Sequence, residues 1–291
     1  MVDIRQTEQY ANYLKREGWI VERIDNTNYF TRKLPLIGSV LKLQRPEKID
    51  FNTIDRLCRK YRVFQIIVEP NNEHQVSSIK YQGYKLSKSP YLPSKTLQID
   101  LTQSQKTISD HFKKDARQAL RKIYDPERAK RVEGGDYITT KEYSSPSDIR
   151  KWRESWKKSV KFNRYVPSSE SLINLRSSFP HNYSVFLASH NGSTSSPQVI
   201  SGAIFLRTKD VAYYWYGFTD KEGRTSLSQY SLLYQGILWA KKTGCTVFDF
   251  EGIYDSRFPN KSWLGFTHFK CSFGGAEVLY PGCYTKFRLP V

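Results

Sequence analysis

The stretch from residue 183 to residue 250 constrains the fold more than any other part of the chain. Three runs rich in branched and aromatic residues, 183–189, 199–207 and 211–218, read as neighbouring strands of an antiparallel meander. A helix follows directly. Thr225 or Ser226 can cap its start, Gln229 stands three residues after Ser226 as a capping-box partner, and Gly244 supplies the left-handed residue that ends a helix. Leu227, Tyr230, Leu233 or Tyr234, and Ile237 mark its expected buried stripe, and 247–250 reads as the next buried strand. The segment 190–197 (HNGSTSSP) reads as a hairpin tip or loop.

The first half alternates in the same way. Residues 9–16 read as helix, 19–24 as extended chain, 50–60 as helix, and 63–68 as a buried strand ending at Glu69 and Pro70. Residues 76–82 read as a short helix closed by Gly83, and 96–101 as a strand. No internal sequence repeat is visible. Alternation of this kind over 291 residues predicts an α/β (α+β) protein of about two compact units, and 38% hydrophobic residues can build both cores.

Charge narrows the partners. With 46 Lys and Arg against 28 Asp and Glu, the net charge is +18, which favours polyanions: RNA, DNA, a nucleotide diphosphate or an anionic membrane face. Part of the excess is ordered along one element. Residues 107–124 place Ile108, Phe112, Ala116, Ala119 or Leu120, and Ile123 at helical spacing, which predicts a single amphipathic helix. Its outer face carries Lys113, Lys114, Arg117, Arg121 and Lys122. Residues 110–164 hold 16 basic and 9 acidic side chains.

Several classes are excluded. The longest apolar stretch, 34–43, is interrupted by Pro35, Gly38, Ser39 and Lys42, short of the roughly 20 apolar residues of a membrane helix. The first residues carry charges throughout and no apolar core of a secretory signal, so a cytoplasmic protein is expected. The apolar LPLI segment and the basic charge permit reversible contact with the inner face of an anionic plasma membrane. Cys58, Cys245, Cys271 and Cys283 lack zinc-ligand spacing, and neither a metal nor a cofactor is expected. There is no GxSxG, GxxxxGK[ST] or HExxH motif. The order strand, strand, helix, strand is that of a GNAT-type acyltransferase core. That core binds acyl-CoA pyrophosphate on a glycine-rich loop before its main helix, and here residues 221–228 (KEGRTSLS) hold one glycine. The acyl group is expected to come from another carrier.

At this point the chain resembles the FemABX family of peptidoglycan-bridge aminoacyltransferases. The motifs that carry the resemblance run in order through nearly the whole sequence: QYANYLKREGW at 9–19, Glu69-Pro70, GYKLS at 83–87 and PSKTLQIDL at 93–101. They continue with the basic helix KKDARQALRKI, YYWYGFTD at 213–220, SQYSLLYQGILWAKKTG at 228–244, FDFEGI at 248–253 and FTHFKCSFGG at 266–275.

The resemblance implies two GNAT-like lobes, residues 1–109 with the tail 280–291 returning to them, and residues 110–279, with mixed, largely antiparallel sheets flanked by helices. It implies transfer of an amino acid from aminoacyl-tRNA to a stem-peptide amine of UDP-MurNAc-pentapeptide or its lipid-linked form. Lys270 matches the lysine beside the reacting ester and Phe269 its motif neighbour. Lys15 matches a contact to the acceptor's diphosphate, Tyr216 an acceptor-pocket tyrosine, and Glu69 a carboxylate at the acid-proline strand end. Strand alternation puts Tyr214 and Tyr216 on one face, opposite Tyr213 and Trp215. Pro167 and Ser171 stand where relatives carry an arginine and a tyrosine, with Arg164 as a substitute, and Glu251 replaces a family glycine. The residues at 110–123 are the expected tRNA surface. Alternatives are a CoA-dependent N-acyltransferase and a non-catalytic RNA-binding or anionic-membrane-binding protein.

Overall fold

A computed structural model describes residues 1–124, 138–161, 164–191 and 198–288. Its elements are α1 (Glu8–Arg16), β1 (Ile20–Ile24), β2 (Thr27–Leu34), β3 (Gly38–Gln44), α2 (Phe51–Tyr61), β4 (Val63–Glu69), α3 (Val76–Tyr81) and β5 (Lys85–Leu86). There follow β6 (Lys95–Asp100), α4 (Gln105–Asp110), α5 (Lys114–Tyr124), β7 (Ile138–Glu142), α6 (Pro146–Ser159), α7 (Ser169–Ser178), β8 (Ser184–Asn191) and β9 (Val199–Arg207). The chain closes with β10 (Val211–Thr219), α8 (Lys221–Thr225), α9 (Ser228–Lys242), β11 (Val247–Asp249), α10 (Leu264–Cys271), β12 (Ala276–Leu279) and β13 (Tyr284–Phe287).

Contacts divide these elements into two units, one of residues 1–96, 252–264 and 277–291, the other of 97–251 and 265–276. Two differences from the sequence reading stand out. The division falls at 96/97 rather than 109/110, and 252–264, expected in the second unit, packs with the first.

The first unit holds a six-stranded sheet in the order β1-β2-β3-β4-β13-β5, in which only β3 and β4 run parallel. The crossover α2 is capped by Asp50, whose carboxylate accepts from the Asn52 and Thr53 N–H groups, and buries Thr53, Ile54, Leu57 and Cys58. The second sheet runs β12-β6-β11-β10-β9-β8-β7, and among its inner strands only β10 and β11 run parallel, joined through α9. Both units therefore repeat one plan that no sequence repeat announces: a three-strand meander, a crossover helix, a parallel strand, then an antiparallel neighbour from a distant part of the chain. This is the mixed, largely antiparallel α/β architecture of paired GNAT-like units.

Three local expectations are corrected. The single helix expected over 107–124 is two, α4 and α5, because the Lys113 N–H turns away to the Ser272 carbonyl at 2.7 Å while Phe112 is buried. The capping box at Ser226 does not form. Ser226 ends α8, Leu227 takes a left-handed φ of +60° as the residue before α9, and the Gln229 side chain turns into the core. Accordingly α9 buries Leu232, Leu233, Gly236, Ile237 and Ala240, with Tyr230 and Tyr234 half-buried. Gly236 sits where a Cβ would lie 2.2 Å from the Phe205 ring. Of the expected 190–197 loop, 192–197 lies outside the described residues.

Candidate active site

β10 and β11 pair in parallel only from Val211↔Val247 to Tyr213↔Asp249. Beyond that they part. The Phe250 N–H goes to the Leu97 carbonyl at 3.0 Å, and β10 carries a bulge between Tyr214 and Tyr216. Parting strands leave backbone groups that need new partners. Lys270, projecting from α10, provides one: its Nζ donates to the Phe250 carbonyl oxygen at 2.6 Å. The ammonium lies 5.0 Å from the Phe266 ring centre and 5.5 Å from that of Tyr214, in reach of both π faces. Burial pulls the Lys270 pKa down to about 8, against the opposing pull of Glu251 and Asp249. At neutral pH the side chain is still mainly a cation, held in a poorly solvated place.

A cleft of about 420 Å³ opens on this side of β10, lined among others by Tyr214, Gly217, Gln229, Tyr230, Phe266 and Phe269. Phe269 packs edge-on to Tyr230 with ring centres 4.9 Å apart, and 5.7 Å from Phe273. The Tyr214 hydroxyl accepts from Gln229 Nε2 at 2.7 Å, and burial pushes its pKa up to about 12, so it stays protonated. Gly217 is required here, since a Cβ would lie 1.9 Å from the Tyr214 hydroxyl oxygen. The result is a largely apolar slot walled in part by Tyr214 and Phe266, with the Lys270 ammonium next to both rings.

The loop before α9 is unsuited to a pyrophosphate. Residues 221–225 wind into α8, where Asp220 accepts from the Gly223 N–H at 2.8 Å. The Arg224, Ser226 and Leu227 N–H groups bond to the Asp220, Glu222 and Arg224 carbonyls at 3.2, 2.8 and 3.3 Å. The amides that a phosphate-binding loop leaves open are already used, and a carboxylate stands among them.

The other expected residues fall in separate places. In the second unit Glu251 adopts a φ of +53°, a left-handed conformation that glycine takes at lower cost. Its N–H donates to Asp249 Oδ1 at 2.7 Å, and Asp249 Oδ2 accepts from Gln98 at 2.8 Å, so Asp249 organises the turn beside Lys270. Tyr214 and Tyr216 do not share a face. The bulge turns Tyr216 to the α6 side, 5.4 Å from the Trp156 ring, while Tyr214 stays on the α9 side. Lys113, Lys114, Arg117, Arg121 and Lys122 are all exposed, beside a groove of about 740 Å³ that Tyr124 and Tyr234 also line. Arg164 is exposed, in a bend whose N–H bonds to the Lys161 carbonyl at 3.0 Å.

In the first unit Lys15 is exposed on α1. Glu69 is buried and accepts from Gln44 Nε2 at 2.8 Å and the Leu92 N–H at 2.6 Å, which holds the 88–94 loop. The sequence reading passed over Lys42, whose ammonium stands 5.1 Å from the Trp19 ring and 4.3 Å from the Tyr91 ring. Burial pushes its pKa down, partly offset by Glu69. Gln229 and Gly217 were likewise missed; a glycine within an aromatic strand, YYWYGF, was the available signal.

A sequence profile of the FemAB family matches residues 146–291. No curated protein sequence matched. Among solved structures, FemX superposes with a TM-score of 0.79 at 13% identity, covering 98% of this chain and 92% of that one. The C-terminal DUF2156 domain of an Agrobacterium fabrum protein classed as a lysylphosphatidylglycerol synthetase gives 0.62 at 13%, covering 97% and 88%. A tandem GNAT protein from the clavulanic acid biosynthesis pathway gives 0.52 at 7%, covering 89% and 82%.

Proposed function

The chain belongs to the FemAB family, and from that premise we propose that it is an aminoacyltransferase that carries an amino acid from aminoacyl-tRNA to an amine of a peptidoglycan stem peptide. The observation that carries this reading is the buried Lys270 ammonium at the parted strands, beside Tyr214 and Phe266, two of the residues that line an apolar cleft. The stem-peptide amine attacks the ester carbonyl carbon. Negative charge gathers on the carbonyl oxygen, where a fixed cation in a dry site stabilises the transition state more than the ground state. The intermediate collapses with cleavage of the ester C–O bond, the tRNA ribose oxygen leaves and takes up a proton, and the attacking nitrogen loses one. The product is an amide that begins an interpeptide bridge. The ester is already activated, so orientation and one cation suffice without a covalent enzyme intermediate.

In this reading the exposed basic residues of α5, Lys114, Arg117, Arg121 and Lys122, with Lys113 before them, meet tRNA phosphates. Lys15 and Lys42 of the first unit take the diphosphate of the acceptor, as ammonium groups suit a phosphate. Tyr216, Arg164 and Glu251 shape the acceptor side, and the reaction proceeds on the cytoplasmic side of the membrane. The CoA-dependent alternative is disfavoured by the occupied amides of Gly223, Arg224, Ser226 and Leu227. The test is an intact-mass assay of UDP-linked and lipid-linked stem pentapeptide, incubated with the protein and charged total tRNA. A mass gain that vanishes when the tRNA is deacylated is the expected result. No gain on either acceptor, or a gain with acyl-CoA alone, would sink the proposal.

A further inference from the structure

The β2–β3 hairpin of the first unit ends in an unusual turn. Leu36 is 107% exposed, Ile37 59% and Leu34 36%, with Pro35 among them. Leu36 also adopts a φ of +67°, a left-handed conformation that Gly, Asn or Asp takes at lower cost. Tips of this kind are ordinarily polar, so the chain bears both a conformational and a solvation penalty here with no return inside the unit.

The tip is also held in place. Gly38 has a φ of +115°, where a Cβ would lie 2.6 Å from the Arg62 carbonyl oxygen, and the Ser39 N–H donates to that same oxygen at 3.0 Å. Beside it lies a notch of about 400 Å³, lined by Lys33, Tyr61 and Arg62 among others and by no acidic residue. Lys33, Arg59 and Arg62 are exposed, and nearby Glu22 is engaged by Lys60 at 2.6 Å.

We propose that this hairpin tip is a membrane wedge that seats Leu34, Leu36 and Ile37 among the acyl chains of an anionic phospholipid bilayer, with Lys33 and Arg62 at the headgroup phosphates. The charge complementarity selects the occupant: three apolar side chains alone fit many surfaces, but an apolar tip beside a notch lined by Lys33 and Arg62, with nearby Glu22 paired to Lys60, on a chain of net charge +18 fits an anionic bilayer. Contact is peripheral, since no described helix is long and apolar enough to cross a membrane. This inference does not depend on the transfer reaction.

The test is co-sedimentation of the full chain with vesicles of phosphatidylglycerol and phosphatidylcholine, against phosphatidylcholine alone. The parent should pellet with the anionic vesicles and weaken with salt. Leu36→Asn with Ile37→Ser should keep or raise thermal stability, because Asn accepts the left-handed turn, yet lose about tenfold or more in vesicle affinity. Lys33→Gln and Arg62→Gln should each cost about fivefold and reduce the salt dependence. Equal binding to both vesicle types, or binding unaffected by the tip substitutions, would overturn the proposal. So would a self-associated species that the tip substitutions dissolve while vesicles bind nothing, which would make the tip a protein contact.

Discussion

Lys270 shows why a site can be costly to the fold that carries it. Its pKa falls from 10.5 to about 8, and at about 1.4 kcal/mol per unit the buried cation costs the fold on the order of 3 kcal/mol near neutral pH. Because the folded value is the lower one, the unfolded chain holds this proton more tightly, and folded stability rises as pH climbs from about 8 towards 10.5. Lys270→Met should therefore leave the urea unfolding free energy at pH 7 equal to or above that of the parent, and flatten its rise in that window. Turnover should fall about 10²- to 10³-fold, the usual cost of one oxyanion donor. The parent's rate should decline as pH passes about 8 and the ammonium is lost, and the residual activity of the variant should show no such limb. A parent profile without that limb would exclude the cationic role. Gly217 makes a second case. Gly217→Ala meets the Tyr214 hydroxyl oxygen at 1.9 Å, so we expect about 1–3 kcal/mol of overpacking cost and a marked loss of transfer. Adding Tyr214→Phe, which removes that oxygen, should recover part of the stability; no recovery in the double variant would place the strain elsewhere.

At the scale of elements, the sequence was legible wherever one period ran unbroken. Residues 199–207 read as the strand they form, and Gly83 and Gly244 end their helices with φ of +80° and +85°. It failed where a distant partner intervened. The apolar spacing through Ile108, Phe112 and Ala116 continues across the break between α4 and α5, because those side chains are buried in either geometry; only the Ser272 carbonyl, far along the chain, distinguishes them. Likewise period-two alternation paired Tyr214 with Tyr216, and a bulge, which inserts one residue, reversed the second. The basic face of α5 survives the correction, since its charges all remain exposed on the shorter helix. If Arg117 and Arg121 each neutralise a tRNA phosphate, Arg117→Gln with Arg121→Gln should lower the slope of log affinity against log salt by about 1.4–1.8. An unchanged slope, measured by filter binding over a salt series, would move the RNA to another surface.

For the whole molecule, periodicity along the sequence carries no sign of which distant segments build each unit. The first unit gathers three stretches, 1–96, 252–264 and 277–291, and two arginines tie them together. Arg45 pairs with Asp3 at 3.1 Å, donates to the Pro93 carbonyl at 2.7 Å and stacks 3.5 Å from the Tyr280 ring centre. Arg257 pairs with Asp255 at 2.8 Å and reaches the Ser94 and Tyr280 carbonyls at 2.9 and 3.0 Å. Apart from Asp255, two residues before Arg257, these partners lie 23 or more residues away along the chain, beyond the reach of any periodic pattern. Burial alone would push the Asp3 carboxyl up, yet Arg5 and Arg45 hold it below its ordinary 3.8. Its contribution to stability is thus present above 3.8 and is lost as pH falls through the lower folded value. Arg45→Ala removes one partner of a buried pair and should cost about 3–5 kcal/mol. It should also raise the folded pKa of Asp3 and bring the acid-unfolding midpoint to higher pH. If circular dichroism finds that midpoint unmoved while urea stability drops, Arg5 alone sets the ionisation of Asp3, and Arg45 holds the three segments through Pro93 and Tyr280.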